Sequence, residues 1–347
     1  MNAIIKPKID LASITPIKLE RYTVGGHELT RVAGLKKVKI EYLDKVGRRR
    51  TKNCLEASID PANYPKPKHN RQRLVVACGM GTDSIAMLVE MYRRGIRPDL
   101  ILWADTGSEH EHTYRYINIL QAWLAAVDFP PLCIVRRVCP QAGHRSLFEQ
   151  LWNTMQLPSP AFHRNHSCSI EWKLKPQRNY QSQLDWLGDD HRTAIGFCAG
   201  EEDRRGATTN AIAEAVGFSA DESDRRSYAA DHDDGYETFY PLMTWLMTRK
   251  DCVAAIAAAG LPQPGKSACF FCPMSRHCEL IEMRSSEPGN LAASLDLEQR
   301  YRGSKNFQNK TQGLSKYVGK VMTWKRWIDE PRQQDLDYLQ IGLKAEI

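Results

Sequence analysis

The chain has 347 residues, 42% hydrophobic and 26% charged, the profile of an ordinary soluble protein with one large or two modest globular domains. No run approaches the ~18 apolar residues that cross a bilayer, and Met1-Asn2-Ala3-Ile4-Ile5-Lys6-Pro7 lacks the apolar core of a secretory signal, so a cytoplasmic location without membrane contact is expected. The net charge of +7 is unevenly placed: up to Arg73, Lys and Arg outnumber Asp and Glu more than twofold, and the remainder is slightly acidic.

Residues 1–60 read as a small basic N-terminal module. Arg31 to Leu43 alternates short apolar and basic positions, consistent with strands, and a turn is expected around Lys45-Val46-Gly47. The densest basic run, Arg48-Arg49-Arg50-Thr51-Lys52, follows Lys36-Lys37-Val38-Lys39. It is either a nucleic-acid contact, to DNA or tRNA, or a solvated basic face. Residues 61–73 form a linker, because Pro61, Pro65 and Pro67 interrupt either regular element.

From Leu74 onward strands and helices alternate, the pattern of a parallel sheet covered on both faces. Strands are expected at 74–77, 100–104 and 132–135, and helices over 84–94, 112–126 and 147–155. Tyr116, Ile119, Leu120, Trp123 and Leu124 recur at helical spacing and read as core. Between the first strand and helix stands Gly79-Met80-Gly81-Thr82-Asp83-Ser84. Glycines admit backbone N–H groups to an anion, Thr82 and Ser84 add hydroxyls, and the helix start adds its positive dipole end, which together make a phosphate cradle. The Gly-Lys-Ser/Thr ending of a Walker A loop is missing, which argues against a grip on the γ-phosphate. Asp105-Thr106-Gly107 falls at the next strand end, where open α/β sheets bind ligands.

The stretch 201–234 is polar and weakly periodic, an insertion or a disordered segment. Regular structure is expected to resume with a strand at 236–240 and a helix over 248–259 stopped by Gly260-Leu261-Pro262; residues 286–347 read as a helical extension. Of the 10 cysteines, Cys78 and Cys198 read as small core residues, and Cys54, Cys133, Cys139 and Cys252 have no partner at metal spacing. Cys269-Phe270-Phe271-Cys272-Pro273, in a turn bounded by Gly265 and Pro273, places two thiols on one side of a metal; a thioredoxin-like redox pair is the rival, without the strand-to-helix setting it needs.

Three segments taken together resemble a known family. Gly79 to Ser84 is similar to the Ser-Gly-Gly-x-Asp-Ser loop of the adenine-nucleotide α-hydrolase (PP-loop ATP pyrophosphatase) superfamily. Asp105-Thr106-Gly107 with Glu109 and Thr113-Tyr114, and Cys168 to Pro176 with Lys173, resemble its phosphoadenosine-phosphosulfate (PAPS) reductase-like branch, over roughly residues 74 to 280. The resemblance implies a doubly wound, mostly parallel HUP/Rossmann-like sheet spanning 74–285. It implies an enzyme that cleaves Mg²⁺-bound ATP to AMP and pyrophosphate, adenylating an acceptor for sulfur transfer from a sulfur-donor protein or for nucleic-acid modification.

On this resemblance, Gly79, Gly81, Thr82, Asp83, Ser84, Asp105, Thr106, Gly107 and Lys175 bind the nucleotide. Asp83, Ser84, Asp105 and Lys173 carry the chemistry, Asp83 orienting the loop or holding Mg²⁺ and the lysines meeting pyrophosphate. Cys168, Cys269, Cys272 and Cys278 are the implied ligands of a [4Fe–4S] cluster or Zn²⁺, with His163 or His166 as substitutes for Cys278. Glu109 and Glu111 read as charges at a helix start. Two departures stand out: Gly79 and Met80 replace Ser-Gly, and no cysteine follows Cys278, where true PAPS reductases carry a redox Cys. Sulfonucleotide reduction, or a nucleic-acid-binding accessory that has lost catalysis, are the alternatives.

Overall fold

A computed structural model describes residues 9–43, 46–67, 72–138, 143–158, 167–186, 191–195, 236–307 and 323–329. The insertion at 201–234, Cys139, Cys198, His163 and His166 lie outside the described residues. Two hairpins come first: β1 (Leu19–Val24) with β2 (His27–Val32), and β3 (Lys36–Leu43) with β4 (Arg49–Ala57). Then β5 (Arg73–Ala77), α1 (Thr82–Arg93), β6 (Leu100–Ala104), α2 (Glu111–Ala126), β7 (Leu132–Arg137) and α3 (Leu147–Thr154) alternate, close to the periods expected from the sequence. A π-helical turn at Ile170–Leu174 runs into α4 (Lys175–Gln181), followed by β8 (His191–Ile195) and β9 (Tyr236–Phe239). The helical C-terminal part comprises α5 (Pro241–Thr244), α6 (Arg249–Ala258), α7 (His277–Ser286), α8 (Pro288–Arg302) and α9 (Trp324–Asp329). Among the described residues, no helix is long and apolar enough to cross a membrane.

Seven strands form one mixed sheet in the order β3-β4-β7-β6-β5-β8-β9. The five from β7 to β9 pair in parallel, and β4 joins β7 antiparallel. The parallel strands are continuous apolar runs because both faces are covered. Val76, Ile101, Trp103 and Ile134 pack under α1, α2 and α6, while Val75, Leu102, Cys133 and Val135 pack toward Tyr64, Tyr180 and Leu184. Alternate residues therefore serve opposite cores, as the pleat dictates. A third core joins Tyr22 and Leu29 of the first hairpin to Phe148, Phe270, Phe271, Leu297, Trp324 and Trp327.

The N-terminal residues do not make a module of their own. Val38, Ile40 and Leu55 alternate with exposed positions, and the apolar face they form is buried against β7 and Tyr64 by extending the main sheet. The first hairpin packs instead against the C-terminal helices. The boundary expected near residue 60 is a short 3₁₀ turn, Pro61–Asn63, whose following Tyr64 is buried against Tyr180 and Trp186.

Candidate functional site

The glycine loop follows β5 and opens α1. Cys78 extends the strand by one bond, its N–H donating to Leu102 O at 2.8 Å. Met80 then takes a left-handed φ of 65° with its side chain buried, and Gly81, extended at φ −99°, caps the helix. Thr82, Asp83 and Ser84 form the first turn, all buried, at the positive end of a 12-residue helix. The Ser84 hydroxyl donates to Gly81 O at 3.0 Å, and Arg249, the first residue of α6, donates to Asp83 Oδ1 at 2.6 Å. Arg249 had no sequence signal, since it stands 166 residues away.

A segment from the cysteine cluster crosses this edge of the sheet. Ser267 donates to Gly79 O, and its Cβ lies 3.3 Å from where a side chain on Gly81 would begin. One residue on, Ala268 O accepts from His110 N at 3.4 Å, and Cys269 forms an isolated antiparallel bridge with Glu109. The chain thus touches the loop after β5 and the loop after β6 within three residues. Lys266, paired with Glu279 and donating to Met274 O at 2.9 Å, anchors it to α7.

At the end of β6, Asp105 is completely buried. Its Oδ1 accepts from Gly107 N at 2.8 Å and from the Tyr114 hydroxyl at 2.9 Å; its Oδ2 accepts from Val32 N at 3.1 Å and pairs with Arg136 at 3.5 Å. Three hydrogen bonds and an ion pair hold the carboxylate, so Asp105 ties β2 and β7 to the strand end. Gly107 takes φ 66°, and a side chain there would meet Ser146 Cβ at 2.8 Å.

Thr106, also buried, donates to Glu109 Oε1 at 3.0 Å and contacts Cys269 Sγ at 3.3 Å. Lys173, carried on the π-helical turn, pairs with the same Glu109 Oε1 at 2.9 Å. Burial pulls the Lys173 ammonium down, but Glu109 and Cys269 outweigh it and the net shift is upward, so Lys173 stays charged. Among the described residues nothing hydrogen-bonds the other Glu109 oxygen, Oε2, although it is buried. Glu109 is therefore part of the site and not a solvated charge at a helix start. Lys175 points elsewhere, half exposed and paired with Glu171 one turn away.

The cysteines divide. Cys168 and Cys269 each lie close enough to Cys272 and Lys173 to feel their charge. Burial first, then Cys272, pushes the Cys168 thiol up to about 11; burial and Glu109 also push the Cys269 thiol well above its usual range. Cys278, in the first turn of α7, has Arg276 and Glu279 as its charged neighbours instead. Among the described residues, no three of these four sulfurs lie within 4.8 Å of one another. A zinc ion with ~2.3 Å bonds would hold tetrahedral thiolates ~3.8 Å apart. Among the described residues, the group of three or more His, Cys, Asp or Glu with all donor atoms within 4.8 Å is His110, His112 and Glu287. These three were missed because Glu287 stands 177 residues from His110.

No protein-family profile matches the chain, and no solved structure matches it. It is similar to an uncharacterised 37.8 kDa protein of Escherichia phage 186 encoded in the region 5′ of gpa: 23% identical over 252 residues, covering 65% of this chain and 74% of that protein.

Proposed function

We propose that the protein binds ATP at the 79–84 loop and cleaves it between the α- and β-phosphates. An acceptor atom bonds to the α-phosphorus as the bond to the bridging oxygen breaks, and pyrophosphate leaves with the electron pair. A nucleophile, sulfur in the resembling family, then displaces AMP. The observation that carries this reading is the place of the loop. In chain order the five parallel strands lie 3-2-1-4-5, and the loop follows the first of them, where the order reverses. In doubly wound sheets that crevice takes the nucleotide, with phosphate on the helix N-terminus. Gly79 and Gly81 let Ser267 lie directly against the loop, where a side chain on either glycine would meet it. Asp83, held by Arg249, fits the role of orienting the loop, and Arg249 adds a cation at its rim. The buried Glu109 Oε2, short of a donor, suits a group that brings its own proton.

Pyrophosphate release from ATP by the purified chain tests the reading. Ser84→Ala is expected to weaken ATP binding and Gly81→Val to abolish it, since a branched side chain meets Ser267 and fills the cradle. Unchanged ATP affinity in both would refute the nucleotide site.

The cysteines are the ligands for a cluster in this reading, and Cys168 and Cys269 both neighbour Cys272. Cys168, Cys269 and Cys272 would hold one side of a [4Fe–4S] cluster, with Lys173 offsetting thiolate charge. Such a group, once bound, supplies electron transfer or a structural brace. Iron, zinc and acid-labile sulfide measured in anaerobic preparations should fall in Cys269→Ser and Cys272→Ser and persist in Cys278→Ser.

The second hairpin favours nucleic acid as the partner. From Glu41 to Leu43 and from Arg49 to Asn53 both faces of the ribbon are exposed, so its tip projects beyond the sheet. It carries Arg48, Arg49, Arg50 and Lys52, with Lys52 over the exposed Tyr42 ring at 4.9 Å. A projecting basic ribbon with an aromatic side chain suits phosphate contact and stacking. Changing the four basic residues to Ser should cut retention of DNA or tRNA at low salt without altering the melting temperature; no retention by the wild type would leave a solvated face.

A further inference from the structure

We infer that His110, His112 and Glu287 form a binding site for a divalent transition-metal ion of the zinc class, apart from the cysteine cluster. The three donors come from two distant places: the start of α2 and the junction of α7 with α8. His110 Nδ1 lies 3.0 Å from Glu287 Oε2, and His112 Nδ1 lies 3.6 Å from Glu287 Oε1. Bonds of ~2.0–2.2 Å to nitrogen and oxygen place tetrahedral donors ~3.3 Å apart, so the observed separations bracket the required one. Two imidazoles and one carboxylate make a recurrent ligand set for zinc and related ions.

The surroundings hold these donors in place. The other ring nitrogen of His112, Nε2, is 2.9 Å from Lys266 O; donating there leaves Nδ1 with its lone pair directed to Glu287. A side chain on Gly265 would begin 2.3 Å from two atoms of the His112 ring, so only glycine lets the imidazole sit there. The two imidazoles stack with centroids 5.0 Å apart and planes at 11°. Asn290 donates to Glu287 Oε2 at 2.7 Å, and Glu111 N to Oε1 at 3.1 Å, fixing the carboxylate. His110 and Glu287 are buried while the His112 side chain is 33% exposed, leaving one side open to a water ligand. Because Lys266 adjoins Ser267, an ion here would also stiffen the strap that backs the glycine loop. The same atoms could serve as a carboxylate held by two imidazoliums, and the test separates these uses.

Co²⁺ added to the full chain serves as the probe, because imidazole and carboxylate give weak visible bands whereas thiolates add intense near-ultraviolet absorption. Visible bands are expected in the wild type and in Cys269→Ser/Cys272→Ser, and their loss in His112→Phe, which keeps the stacked ring and removes the donor. Asn290→Ala should weaken Co²⁺ binding ~10–100-fold by freeing the carboxylate. Circular dichroism confirms that each variant is folded; should His112→Phe not fold, the less invasive Glu287→Gln gives the same reading. Bands that vanish with the cysteines, or that survive both His112→Phe and Glu287→Gln, overturn the site. ATP plays no part in the measurement, so its result is independent of the nucleotide reading.

Discussion

Lys173 and Glu109 are the pair through which the candidate site is held together. Glu109 is fully buried and Lys173 half-buried, and the ammonium pairs with a carboxylate that also meets Thr106 and Cys269. Lys173→Met should destabilise the fold by about 3 kcal/mol, because it strands a buried carboxylate. Adding Glu109→Gln should recover part of that loss, and a double-mutant cycle by urea unfolding measures the coupling. If the two losses simply add, the pair is not interacting. Met80 presents a different balance. A left-handed φ costs a non-glycine residue ~1–2 kcal/mol, whereas truncating a buried methionine costs ~2–5 kcal/mol. Met80→Gly should therefore be destabilising by about 1–3 kcal/mol despite relieving strain, and a stabilised variant would show that the thioether contributes little.

At the level of elements, the 265–276 strap is positioned by the start of α7. Glu279, third in that helix, accepts from Arg276 N at 2.7 Å in a capping box and pairs with Lys266. Burial pushes its carboxyl up, but Lys266 and the Arg276 backbone outweigh burial and hold it below its usual value of 4.5. A carboxyl lowered on folding contributes stability that is complete above its unfolded value and is lost as pH falls through the folded one. Glu279→Gln should thus cost ~1–2 kcal/mol at neutral pH, and the gap to wild type should close in acid below about pH 4.5. Denaturant midpoints across pH check this; a gap that widens in acid would give Glu279 the opposite sign.

Over the whole molecule, the third core couples the C-terminal helices to the site. Phe270 and Phe271, between the two cysteines, pack with Phe148, and Trp324 and Trp327 close the same cluster. The Trp324 backbone N–H donates to buried Glu298 at 2.9 Å, and His277 Nε2 lies 2.8 Å from Trp327 O. Trp327→Ala should cost ~3–5 kcal/mol by leaving a cavity in this core. Because Cys269 and Cys272 flank the phenylalanines, the variant should also lose metal more readily; full stability would mean that α9 is dispensable to the core.

The strands and helices from Leu74 to Met155 were legible in the sequence because their signals are local. Parallel strands buried on both faces read as apolar runs, and Gly79, Gly81, Gly95 and Pro98 mark the turns. The glycine loop was legible for the same reason, as a strand end, two glycines and a helix start in consecutive residues. What required the fold were relations between residues far apart in the chain. Asp105 looked like a ligand group by position and proves to be held by Val32, Gly107, Tyr114 and Arg136, since a strand end buried under the first hairpin must satisfy its own polar atoms. Cys278 matched by spacing, and only the fold shows Arg276 and Glu279 as its charged neighbours. Glu109, Arg249 and the His110, His112 and Glu287 group acquired their partners only when packing brought loops from opposite ends of the chain to one edge of the sheet.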